Sequence, residues 1–330
     1  MASGGGVRAA RLCSVARAVR FRGVGLHSGR EVQCELRPSA RGALEFRAGG
    51  APGGSAVLEA SAACASGDSA LCTELRGPGL AVRTVEHLLA ALWAAGVASC
   101  EVALLGGAGE GPRGRALELP ALDGSALPFS EALRGLVEPC ATSAGVRAVP
   151  TVRVLRRVEV VDKARGSRCE LSPLAADAGE GGGPTLALHV EVDTFGGRLP
   201  PSAPAVAQFT FGAPDSAARF LAEFAAARTF GFESDAPALH ARGLALGASL
   251  DNAVVFKGDG SAACLNAGGL RLADEWVRHK LLDCVGDLAL CLGSHGALHG
   301  AFRGSRPGHA TTLKLLRALL SDPSNFAIER

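Results

Sequence analysis

The run ADEWVRHKLLDCVGDLAL at residues 273–290 organises the rest of the chain. Asp274 stands where a helix N-cap belongs, and the pattern predicts a long helix over residues 275–292. On such a helix His279 and Asp283 lie four residues apart and share one face. Asp287, four further on, stays near the same stripe, while Trp276, Leu281, Cys284 and Leu288 lie elsewhere around the helix and can serve the core. A His and an Asp at this spacing can hold one metal ion from two sides. The same spacing also describes a solvent-facing His with carboxylate neighbours, worth only ~0.2–0.5 kcal/mol per pair to the helix. The helix alone leaves both open.

Working outward, TVEHLLAAL at residues 84–92 predicts a helix over residues 85–95. Thr84 is its expected N-cap, Glu86 sits in the positive first turn, Gly96 is the stop, and Val85, Leu88, Leu89 and Leu92 form its apolar face. His87 can complete a two-His, one-Asp metal set with a fourth position open, and Glu86 beside it can take a proton from water. The plain alternative is a helix start that favours Glu and is capped by His. His309 follows Gly308 at another helix start. A helix N-terminus lowers a His pKa, so a protonated His309 needs a carboxylate helper, for which Asp287 is the candidate; otherwise it is a helix-entry His with no role. ARTFGF at residues 227–232 reads as a helix end with a sharp turn, where the Thr229 hydroxyl can donate to a developing oxyanion. His27 lies in a Gly-rich turn and can line a site. His189, His240, His295 and His299 show no metal spacing and read as structural or exposed.

Between these segments the pattern is mixed. Residues 18–36 read as two strands joined by a Gly-rich turn, residues 100–105 as a short strand, residues 106–115 as a loop, and residues 125–136 as a helix with Pro128 near its start. Strands restart at residues 151–161, 168–171 and 186–192, with a Gly-rich turn at 178–184, a helix at 216–227 and a strand at 250–256. The last helix starts near His309 and ends by Asp322, because Pro323 follows. This is an α+β pattern, not alternating βαβ units. Its expected organisation is a basic extension at 1–17, a first domain at 18–140, a linker at 141–150, and a second domain at 151–325.

Composition narrows the function. The 330 residues include 34 Lys+Arg and 32 Asp+Glu, so net charge is 34 − 32 = +2 and no basic field argues for nucleic acid. No uncharged apolar run reaches the ~18 residues a transmembrane helix needs. The 10 Cys are scattered without a C-x-x-C pair, which disfavours a thiolate zinc site and reads as buried thiols in a reducing compartment. The first acid is Glu31, after an Arg-rich start that fits either a short basic tail or an organelle transit peptide. Only four lysines occur, and one, Lys280, adjoins His279. Where Arg is the common cation, a retained compact ammonium suits a tight cleft.

Taken together, GVGLHSG (residues 23–29), TVEHLLAAL (84–92), LDGSALPF (122–129), ARTFGF (227–232), GLALGASLDNAVVF (243–256), ADEWVRHKLLDCVGDLAL (273–290) and RPGHATTLKLL (306–316) resemble the UDP-3-O-acyl-N-acetylglucosamine deacetylase family of lipid A biosynthesis. The resemblance runs from about residue 18 to 320. It implies two α+β domains, each a helix layer packed on a β-sheet, with the helix layers facing each other and the active site between. It implies a Zn2+ cofactor held by His87, His279 and Asp283, with Glu86 as general base and His309 as general acid to the leaving amine. Asp287 would orient and charge His309, Thr229 and Lys280 would stabilise the oxyanion or position substrate, and Phe230 would line the substrate site. An insert at residues 233–250, with Leu244, Leu246 and Leu250, would enclose the acyl chain at ~0.8 kcal/mol per buried CH2.

The implied reaction frees acetate and the amine from UDP-3-O-[(R)-3-hydroxyacyl]-N-acetylglucosamine, the committed step of the pathway. The expected enzyme is a monomer acting on a small-molecule substrate, with no nucleic acid and no transmembrane segment. It would be cytoplasmic in a bacterium, with a mitochondrion or other organelle as the eukaryotic alternative. Departures are minor: Arg306 stands where Lys is usual, Pro307 stiffens the approach to His309, and Thr311 and Thr312 follow it where Asn is common. Two rivals are a non-catalytic acyl-sugar-nucleotide binder of the same fold, whose sign would be loss of Glu86 or His309, and a zinc amidohydrolase on a different acylated amino sugar.

Overall fold

Two sheet-rich halves with helices between them make the α+β architecture of this computed structural model. It describes residues 10–329 except 12, 40, 50–55, 68–70, 106–108, 112–113, 143–144, 147, 175–182, 201–204 and 292–295. The α-helices whose bounds lie among the described residues are α1 (Glu86–Ala94), α2 (Leu127–Leu133), α3 (Ser216–Glu223), α4 (Ala236–Ala241), α5 (Glu275–Leu288) and α6 (His309–Ser321).

Val97–Leu104 is the spine of the first sheet, buried along nearly its whole length. It runs antiparallel to Glu31–Arg37 and parallel to Leu44–Ala48 and Cys13–Val15. In Glu31–Arg37 the alternation of Val32, Cys34 and Leu36 turns one face into the core. Ala297–Ser305 plays the same part in the second sheet, antiparallel to Ser167–Ser172 and parallel to Leu186–Val192 and Thr151–Val154. Leu186–Val192 pairs with Ala205–Phe211, and Phe326–Glu329 closes the far edge against Thr151–Val154.

The two helix layers meet at α1 and α5. Both are buried almost all round: in α5 only Arg278 and Lys280 escape, as expected for helices sandwiched between layers. Gly286 permits the crossing. A Cβ there would lie 2.1 Å from the backbone oxygen of Glu86, so α5 touches the backbone of α1 where a side chain cannot fit. Gly286→Ala is therefore expected to destabilise the protein by ~1–3 kcal/mol through overpacking, read as a lower urea midpoint. A midpoint equal to wild type would mean the helices part at no cost.

The structure differs from the sequence expectations at several places. Cys13–Val15 lies inside the first sheet and Phe326–Glu329 inside the second, so both sheets extend past the expected bounds of 18–140 and 151–325. Within the expected linker, Ala148–Val149 pairs with Ala10–Arg11. Part of the stretch read as a loop at 106–115 is a hairpin, Gly109–Gly111 with Gly114–Glu118. Residues 1–9 of the Arg-rich start and most of the 178–184 turn lie outside the described residues.

Thr84 does not cap α1. It takes φ +57°, and its hydroxyl donates to Glu118 Oε1 at 3.1 Å instead of bonding to the first turn. The Asp274 carboxylate accepts from the Arg278 side chain and makes no bond to the first-turn amides of α5. Helix α3 ends at Glu223, and Phe230–Phe232 is a strand parallel to Val254–Phe256 rather than a helix end. Cys34, Cys100, Cys169 and Cys291 are buried, and burial pushes their thiols up to about 12, which makes them inert. No helix among the described residues is long and apolar enough to cross a membrane.

Candidate active site

Burial decides the question left open for α5. His279 and Asp283 are 3% and 5% exposed, so their face points into the protein and not to solvent. Helix α1 brings His87 against them, with its Nε2 3.8 Å from Asp283 Oδ1, while His279 Nε2 lies 3.3 Å from the same oxygen. Ligand atoms of the three residues all fall within 4.8 Å of one another. His279 Nδ1 is 3.0 Å from the Ala227 carbonyl; that oxygen can only accept, so Nδ1 carries the proton and Nε2 offers its lone pair inward.

The electrostatics suit a cation. Burial, with His279 nearby, lowers His87 to about 3, and burial likewise lowers His279, so both imidazoles are neutral ligands. Burial would raise Asp283, but the charged Lys280 and His309 beside it outweigh that and hold the carboxyl well below its ordinary range. Lys280 donates from Nζ to Asp283 Oδ2 at 2.8 Å, and this partner raises its pKa despite burial. Two neutral imidazoles and a carboxylate, all deprotonated at neutral pH, fit zinc as a ligand set.

Glu86 and His309 face each other beside this set. Glu86 Oε1 is 4.0 Å from His309 Nε2, and Glu86 Oε2 accepts the Thr73 N–H at 2.9 Å. Burial raises Glu86 to about 7. His309 opens α6, where burial and the helix terminus both favour the neutral ring. The carboxylates Asp287, Asp283 and Glu86 win, and His309 rises to about 9. Asp287 is the nearest of these, with its oxygens 3.1 and 3.2 Å from His309 Nδ1.

The cleft around these groups is lined by the apolar Leu26, Leu71, Phe195 and Phe230 and by the polar Arg165, Ser167 and Arg306. Phe230 packs edge-on against Phe195 at 5.5 Å and against His279 at 6.3 Å. Thr229 enters the cleft because its neighbours are tied down. Its N–H donates to Gly124 O in the first half, and Arg228 is clamped to the fully buried Glu275.

Thus His87, His279, Asp283, Glu86, His309, Lys280, Thr229 and Phe230 all line one cleft, with Asp287 directly behind His309. Leu244, Leu246 and Leu250 do not line it. Leu246 and Leu250 are 51% and 46% exposed, on a segment that docks onto the His27 turn through Leu246 N to His27 O and Gly247 N to Leu26 O. His27 is buried, with its backbone N–H held by Glu118 and its Nδ1 accepting from Ala245. Sequence reasoning missed Thr73 and Glu118. Glu118 ties the His27 turn to Thr84 by accepting from His27 N, Ser28 N and Thr84 Oγ1.

A buried carboxylate of raised pKa, a His opposite it and three buried residues that could hold a metal ion are the parts with which a hydrolase activates water. The comparisons with known proteins agree. A family model described as UDP-3-O-acyl N-acetylglycosamine deacetylase matches residues 13–321, and the chain belongs to that family. Proteins named UDP-3-O-acyl-N-acetylglucosamine deacetylase from Brucella melitensis, Brucella ovis and Brucella abortus are each 35% identical to it over 322 residues, 96% of this chain and 97% of theirs.

Proposed function

We propose that this chain hydrolyses the N-acetyl group of a UDP-3-O-acyl-N-acetylglucosamine, releasing acetate and the free amine, with zinc held by His87, His279 and Asp283. The supporting observation is the convergence of those three buried ligands beside a base and an acid that face each other across 4.0 Å. When bound, zinc supplies Lewis-acid polarisation of the acetamide carbonyl and makes the attacking water more acidic.

The remaining work falls to the chain. Glu86 Oε2 is occupied by the Thr73 N–H, which leaves Oε1 to take the water proton. The Thr229 hydroxyl and the Lys280 ammonium stabilise negative charge on the carbonyl oxygen as the tetrahedral species forms. His309 Nδ1–H is held by Asp287, so Nε2–H points into the cleft and protonates the leaving nitrogen. Phe230, Phe195, Leu26 and Leu71 give the substrate an apolar wall, and the exposed Leu246 and Leu250 with Leu244 receive the acyl chain farther out. Arg165 and Arg306 offer cations to the diphosphate. One chain supplies every group, consistent with a monomer, and a nucleotide-sugar substrate suits the bacterial cytoplasm. We treat the two sheet-rich halves as two domains joined near residues 141–150.

The proposal is tested by incubating the purified protein with the UDP-linked substrate, with and without chelator. Chelator-sensitive acetate release is expected. Release from other acylated amino sugars at equal rate would favour a broader amidohydrolase, and no release would favour a binder.

A pH dependence follows. The base must be ionised, so kcat falls as pH drops through about 7, the value to which burial lifts Glu86. The acid must be protonated, so kcat falls again as pH rises through about 9, where the carboxylates hold His309. His309→Ala is expected to remove the alkaline limb while retaining zinc. A variant that keeps that limb would take the acid role away from His309.

A further inference from the structure

Thr73 is fully buried, in the bend that leads into the strand Glu74–Gly77 of the first half. Its backbone N–H donates to Glu86 Oε2 at 2.9 Å, and its carbonyl accepts from Val85 N at 3.5 Å, at the entry to α1. Its hydroxyl reaches across to the second half, where Asp287 Oδ1 accepts from it and His309 Nδ1 lies 3.1 Å away. The hydroxyl bond has one direction: Asp287 as a carboxylate only accepts, and the single hydroxyl proton goes there. The hydroxyl oxygen keeps its lone pairs beside His309 Nδ1, the same ring nitrogen that the Asp287 carboxylate holds. One side chain from the first half therefore completes the environment of the acid, while its own backbone fixes the base.

We propose that Thr73 is a positioning residue whose hydroxyl aligns the Asp287–His309 pair against Glu86 across the interface between the halves. This rests on the roles given above to Glu86, His309 and Asp287. A buried hydroxyl with two buried partners has no water to fall back on, so its loss leaves Asp287 a bond short in a dry site. The amide of residue 73 does not depend on the side chain. Removing the hydroxyl alone thus disturbs the acid and spares the base, and the effect belongs in kcat rather than in KM.

The experiment compares Thr73→Val, which keeps the shape without the hydroxyl, with Thr73→Ser, which keeps the hydroxyl. Both are made in wild type and in Asp287→Ala. Initial rates, KM, zinc content and melting temperature are measured on the full-length protein. Thr73→Val is expected to lower kcat about 10- to 100-fold with KM within about twofold and zinc retained, and Thr73→Ser is expected to recover most of the loss. In the Asp287→Ala background Thr73→Val is expected to add less than about twofold, because the partner it acts through is gone.

Wild-type kcat in Thr73→Val, no recovery in Thr73→Ser, or an undiminished loss in the Asp287→Ala background would each overturn the proposal. Should Thr73→Val fail to fold, Thr73→Ala, which adds no bulk, is read in the same way. Glu86→Ala and His309→Ala are assayed alongside. If both keep full turnover, the acid–base roles fall and Thr73 with them; if they lose it while Thr73→Val does not, Thr73 alone falls.

Discussion

Glu86→Ala lowers turnover by about 10²- to 10⁴-fold, the usual worth of a general base, and leaves zinc content at the wild-type level. The expectation follows from how the carboxylate is held. One oxygen is fixed by the Thr73 amide, and the other faces His309 across 4.0 Å of cleft. Neither is needed by the metal site proposed on His87, His279 and Asp283. Burial gives Glu86 a proton affinity near neutrality, which is where a base both accepts a proton readily and is still ionised often enough to act. The check is kcat by acetate release, together with metal analysis of the same preparation. Substantial zinc loss in Glu86→Ala would reassign the residue to the metal set.

The second large effect is expected at the ligands. His279→Ala and Asp283→Ala should each weaken zinc binding by about 100-fold or more, since loss of even an outer partner of a zinc ligand costs ~10–100-fold. Turnover should fall to background. The two variants are expected to differ in stability. Asp283 also accepts from Lys280, so its removal strands an ammonium in a cleft with 17% side-chain exposure, whereas His279→Ala strands no charge. Zinc titration and thermal melting of the two proteins separate these effects. Full zinc occupancy in either variant would strike that residue from the ligand set.

The sequence made some of this visible because helices write their geometry locally. His279, Asp283 and Asp287 fall on one face of α5 by spacing alone, and Glu86 and His87 fall in the first turn of α1. What spacing could not decide was whether that face met solvent or protein. Burial against α1 decided it. Thr73 carried no local signal, since its partner Asp287 is 214 positions away. Glu118 was hidden similarly: its partners His27 and Ser28 lie 91 and 90 residues back, in a turn read only for its glycines.

The strand Ala297–Ser305, central to the second sheet, was missed because Gly300 and Gly304 interrupt its pattern and it begins a few residues past the expected helix end at 292. Ala205–Phe211 alternates cleanly, with Ala207, Phe209 and Phe211 buried, and went unread between the strand at 186–192 and the helix at 216–227. The caps failed for a related reason. Thr84 and Asp274 have the right chemistry, but Glu118 and Arg278 compete for their side chains.

The contact of α5 with the backbone of Glu86 at Gly286 bears on the order in which the molecule comes alive. As the chain leaves the ribosome, α1 is made nearly two hundred residues before α5. Until α5 arrives, one flank of α1 stays wet, and a wet glutamate titrates like any other. The proton affinity that suits Glu86 to its task comes first from burial, and it is complete only when the later half brings α5 and His309 against it. A nascent or truncated chain with a finished first sheet would hold Glu86 without those neighbours. Its chemistry is thereby withheld until the whole protein has closed.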